Sequence, residues 1–241
     1  MAQYALDRVL SVAGTDAVDG KVLFLADQIV DPSLAFTSET EDIVDANNNV
    51  VMVLENGRGA TFSASNAFFN TQILAAQVGG AVTSGKTEIT KYDILTLGDG
   101  GKAELSATAK GTDAKIYALA KDGSLTTAEA VEGTISSGEI TVSNGTKGSK
   151  VLVVYTAEID ADEKISAFAD AKNKLMNVTA EVLLKELCNE ELFYAYIIMR
   201  GKLSGEAEWS MTRDGNHAFE LRCFPEYCGD KKLVDVVIVK G

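Results

Sequence analysis

Gly80, Gly85, Lys86 and Thr87 stand at the spacing G-x4-G-K-T, the Walker A pattern of a loop that wraps nucleotide phosphates. That chemistry needs a buried strand entering the loop and a helix leaving it. Free N–H groups and the positive end of the helix dipole then meet the phosphates. The flanks here run the other way. Ala67–Val78 enters with apolar residues near helical spacing, and Thr87–Tyr92 leaves with the alternation of a strand. A helix C-terminus presents carbonyls, which repel phosphate. The four residues are read as a Gly-rich connection and a false Walker A match, so no cofactor is expected.

The other reactive side chains do not assemble into a site either. His217 is the only histidine and sits beside the turn-forming Arg213–Asn216, where a surface position is expected; no G-x-S-x-G accompanies it. Cys188, Cys223 and Cys228 are an odd set without the neighbours of a zinc site. They are expected to be reduced thiols, core or half-buried, in a cytosolic compartment. The acidic pairs Glu206/Glu208 and Glu190/Glu191 suit a solvated face better than the carboxylates of a glycosidase. No catalytic residue and no metal site is expected.

Net charge is −13 over 241 residues, against −2 within residues 85–158. An acidic surface repels phosphate, which excludes tight nucleic-acid binding and weakens attraction to anionic lipid. The N-terminus lacks the basic start and apolar core of a signal peptide. No run approaches the ~20 apolar residues of a membrane helix. Ordinary apolar content and only two prolines mark a folded chain.

Most segments that could position such residues are strands. Ala207, Trp209 and Met211 alternate with polar residues, a turn follows at Arg213–Asn216, and Phe219, Leu221 and Cys223 alternate again, predicting a β-hairpin with one buried face. Val22–Ala26, Val50–Leu54, Gly59–Ser63, Met176–Leu184, Leu192–Met199 and Leu233–Val239 predict further strands. Phe36–Asn49 is acidic and polar, a long loop or a projecting hairpin. One helix is predicted near Ala67–Val78, capped by Ser63 or Ser65 and stopped by Gly79 and Gly80. Asp160–Asp170 is ambiguous between helix and strand. Between residues 86 and 158, short apolar runs alternate with Asp-Gly and Asn-Gly turns, as in a small sandwich. The expected fold class is mainly β with one flanking α-helix. The expected domains are a discontinuous one over 1–85 and 159–241 and an inserted small β-sandwich-like one over 86–158.

The order of parts in the last third resembles a known family. An alternating strand (Lys174–Glu186), the connection Cys188-Asn189-Glu190, an apolar strand (Leu192–Met199), the step Gly201–Glu206, a hairpin with His217, Phe219 and Leu221, and a terminal strand come in sequence. With the Ser63–Val82 segment, they resemble virion structural proteins of tailed bacteriophages, most of all tail tube proteins. The resemblance implies a tail-tube-like β-sandwich or barrel, hexameric rings and rings stacked into a tube. It implies a virion location after synthesis in the host cytoplasm, with other tail proteins as partners. It further implies that DNA passes the channel without specific binding and that no membrane is involved. Glu206, Glu208 and Glu220 are the candidates for lumen-facing residues. Alternative readings are another virion structural protein, such as a head-decoration or head–tail connector protein, and an adhesion or sugar-binding module.

Overall fold

The computed structural model describes residues 3–136, 138–188, 191–207, 215–226 and 229–240. Strands dominate: β1 (Tyr4–Asp16), β2 (Val22–Ala26), β3 (Ile29–Val44) and β4 (Val50–Asn66) precede helix α1 (Thr71–Gln77). Then come β5 (Val82–Thr96), β6 (Lys102–Glu104), β7 (Ala109–Leu119), β8 (Gly133–Ser136), β9 (Glu139–Val142) and β10 (Lys150–Ile165). The chain ends with β11 (Met176–Glu186), β12 (Leu192–Leu203), β13 (His217–Cys223) and β14 (Val234–Lys240). The protein is mainly β with a single α-helix among the described residues. It divides into two compact units, Met1–Val82 with Ile165–Gly241, and Thr83–Lys164.

The first unit is built on one eight-stranded sheet in the order β2-β1-β11-β12-β13-β4-β3, with β14 also on β12. Period-2 alternation explains its core. Met176, Val178, Ala180 and Val182 of β11 are buried, and so are His217, Phe219, Leu221 and Cys223 of β13. Phe219 meets Phe24 edge-on at 5.9 Å and Phe62 at 6.2 Å between ring centroids. Two glycines are required by close approach. A Cβ on Gly14 would lie 2.3 Å from the Phe24 ring, and one on Gly201 would lie 2.2 Å from the Arg222 carbonyl oxygen.

Helix α1 covers part of this core through Ile73 and Ala75. Its cap is Asn70, whose side-chain oxygen accepts from the Gln72 and Ile73 amides, both at 3.0 Å. The Ser63/Ser65 capping expectation is corrected here. Both serines lie inside β4, opposite Glu220 and Ala218 of β13, because cross-strand pairing carries β4 on to Asn66. At the far end Gly79 takes a positive φ of 66°, and the Gly80 amide donates to the Ala75 carbonyl at 2.8 Å. The segment over Asp160–Asp170 resolves as strand up to Ile165.

In the second unit, sheets β5-β10-β7 and β6-β9-β8 enclose a separate core that includes Leu97, Ile116, Ile140, Val153 and Tyr155. Asp93 is buried within it. Burial works against its charge, but the Ser106 hydroxyl and amide (2.5 and 2.8 Å) and the Tyr155 hydroxyl (2.9 Å) donate to it. The net effect holds the carboxyl below its ordinary pKa.

Candidate assembly surface

The β3–β4 ladder continues well past the packed part of its sheet. From Thr37↔Gly59 to Val44↔Val50 the two strands pair only with each other. The Phe36–Asn49 segment is therefore the outer strand and tip of an arm, not an irregular loop. The tip is tied locally: Asp45 Oδ1 accepts from the Asn47 and Asn49 amides at 2.8 and 2.9 Å. Hydrogen bonds from Asn49 and then Asn47 hold the Asp45 carboxyl below its ordinary range.

The two sides of the arm differ in chemistry. The β3 side carries Glu39, Glu41 and Asp42, whereas the β4 side offers Val50, Val51, Met52, Val53 and Leu54 in succession. These five are 55, 67, 55, 54 and 39% exposed. An isolated two-stranded ribbon is marginal in water, and an unbroken apolar run is the pattern of a strand covered on both faces. β14 has the same character: Val236, Val237, Ile238 and Val239 are all exposed, on both faces of the strand.

Glu206 and Glu220 are brought together. Both are exposed and line a hollow of about 510 Å³ with Asp31, Ser63, Ser65 and Ser204. The Ser204 amide donates to the Glu220 carbonyl at 2.7 Å, extending the β12–β13 pairing by one residue. Glu208 lies outside the described residues, as does most of the first strand of the hairpin expected over 207–223. The second strand of that hairpin is β13, and its described neighbours are Gly201–Leu203 of β12 and Ala60–Asn66 of β4.

His217 is not a surface residue. It is fully buried at the start of β13, with Nε2 2.8 Å from Gln77 Oε1 and its ring stacked on Phe69 at 5.6 Å. It opens the inward register shared with Phe219 and Leu221, and Gln77 of α1 closes over it. Burial pushes its pKa below the ordinary histidine value, with the Asn70 backbone pulling the other way. Gln77 is itself fully buried, and its amide nitrogen donates to the Ala218 carbonyl at 3.0 Å. This helix-to-sheet pin was invisible in the sequence, because its partners lie 140 residues apart.

Of the thiols, Cys223 is buried and Cys188 is exposed, contrary to the expectation of a core or half-buried position. Cys188 follows the end of β11, in the connection that leads back into its antiparallel neighbour β12. Cys228 lies outside the described residues.

Around the Gly-rich sequence, α1 precedes and β5 follows. Gly85, Lys86 and Thr87 sit along β5, and Gly80 closes the helix C-terminus. Lys86 Nζ bonds Glu158 at 2.7 Å, and Thr87 Oγ1 accepts from Lys164 Nζ at 2.9 Å. Among the described residues, no group of three or more His, Cys, Asp and Glu is placed to hold a metal ion, and no helix is long and apolar enough to cross a membrane.

A mainly-β chain with a free arm, a bare apolar strand and a strong negative charge has the features of a structural subunit. The model of the YomU/Tube protein family matches residues 5–233, and the chain belongs to that family. It is a phage tail tube protein and a component of the virion. No curated protein matches it.

Proposed function

We propose that this chain is a non-enzymatic subunit that assembles with itself into hexameric rings, which stack into a tube that conducts DNA. The observation that carries the reading is the arm. Its five consecutive exposed apolar residues, Val50–Leu54, are costly to leave in water at about 25 cal/mol per Å² of apolar surface. Covering them with a sister subunit removes that cost and fills unpaired backbone donors and acceptors along the strand. The net charge of −13 supports the conducting role, since an acidic wall repels DNA along its whole length and keeps it from sticking. Glu206 and Glu220, with Glu208 between them in sequence, are the residues assigned to that wall. Other tail proteins would cap the tube at its ends.

Negative-stain imaging of the purified chain tests this. Rings or tubes with a central channel, sixfold in end-on class averages, are the expected result. A species that stays monomeric at every concentration and ionic strength sinks the reading.

A further inference from the structure

The free strand edges of the first unit are unequal. β11 covers one edge of β12 from Leu192 to Gly201, so β13 and β14 share the other. β13 takes Gly201–Leu203 and β14 takes Phe193–Met199. β13 ends at Cys223, opposite Ala60, and from Arg58 back to Val50 the second edge of β4 has no strand beside it among the described residues. The second edge of β14 likewise meets no strand among the described residues.

These two edges start from one fork. Phe36, Thr37, Glu55 and Arg58 of the arm face Leu233 and Val234 across a hollow of about 670 Å³, and the strands beyond do not pair. The remaining edges are protected. β3 carries Glu39, Glu41 and Asp42, and β2 is only five residues long. Val50–Leu54 and Val236–Val239 are left as two uncharged, two-sided apolar edges of similar length.

We propose that β14 of one copy takes the Val50–Leu54 edge of a second copy's arm as its missing neighbour. The inference rests on the tube reading above and names the surface that receives the arm. Strand addition satisfies both rows of free backbone groups, and each apolar run covers the other. The contact is heterologous: every copy gives an arm and receives one, so a series of copies closes into a ring or continues as a filament. Lys231, at the entrance to β14, opposes in sign the carboxylates of the arm, which favours approach, whereas Lys232 is already paired with Asp235 at 3.2 Å and Asp230 at 3.8 Å.

Cysteine cross-linking between differently labelled copies tests the contact. In a background with Cys188→Ser and Cys228→Ser, Val50→Cys, Met52→Cys and Leu54→Cys are each mixed with Ile238→Cys, assembled and oxidised. Disulfide formation requires Cβ atoms ~4 Å apart, so the three arm positions sample the register. At least one mixture is expected to give the mixed dimer in several-fold excess over the same arm variants mixed with Val22→Cys, an exposed position on β2. If the substituted chains assemble by electron microscopy but no arm–Ile238 product exceeds that control, the inference is overturned and the tube reading stands. If the unsubstituted chain never assembles, both fall.

Discussion

β13 and β14 are each seven residues long and lie on the same edge of β12, yet they live in opposite environments. β13 buries His217, Phe219, Leu221 and Cys223 and leaves Ala218, Glu220 and Arg222 exposed between them. β14 is the more apolar strand and is mostly exposed. The difference lies in the neighbours. β13 has β4 on its second edge, and Gln77 of α1 and Phe24 of β2 pack over its inner face. β14 has β12 alone. Hydrophobic content sets what a strand gains from being covered, and the tertiary arrangement sets whether this chain covers it. The same division runs along β4, whose residues Ala60, Phe62 and Ala64 are buried while Val50–Leu54 are bare.

The contrast can be broken by substitution. Phe219→Ala in β13 removes a ring packed on Phe24 and Phe62, at an expected cost of about 3–5 kcal/mol. Urea titration of the unassembled chain measures it, and a cost as small as that of a surface change would end the distinction between the two strands.

A second test uses pH. The folded-state pKa of His217 lies below its unfolded value, so the unfolded chain binds the proton more readily. The stability that His217 contributes is complete above the ordinary histidine range. It is lost as pH falls from about 6.5 toward the folded pKa. His217→Gln is expected to flatten that part of the stability-against-pH curve, and an unchanged slope between pH 7.5 and 5.5 argues against a neutral buried imidazole.

The smallest effect on folding is expected in β14. Val237→Ser alters a side chain that is 45% exposed and is expected to change monomer stability by only about 0.5 kcal/mol. Assembly, followed by sedimentation, should fall sharply in the same variant. Equal losses of folding and assembly would mean that β14 is already covered within one chain.

Much of the fold was legible because strand alternation is local. The inward residues of β11 and β13, the helix near residue 73 and the reversal around Gly85 all lie within windows of a few residues. The cap was misplaced for a related reason. Ser63 and Ser65 have the chemistry of caps, but their backbone groups are claimed by β13, about 150 residues away in sequence. β8 carries little local signal, because Gly133–Ser136 has a single buried apolar residue, Ile135, and pairs with β9 through a tight turn.

Residue types and their order decided by themselves that this protein is mainly β and strongly acidic, because composition and periodicity are carried by neighbouring residues; the order of segments in its last third added the resemblance to phage tube proteins. Only the tertiary structure decided that His217 is buried, that Phe36–Asn49 is the outer strand of an arm, and that β14 and the inner side of the arm stay uncovered. Burial depends on which distant segments arrive to share an edge or a face, and short-range pattern carries no record of that.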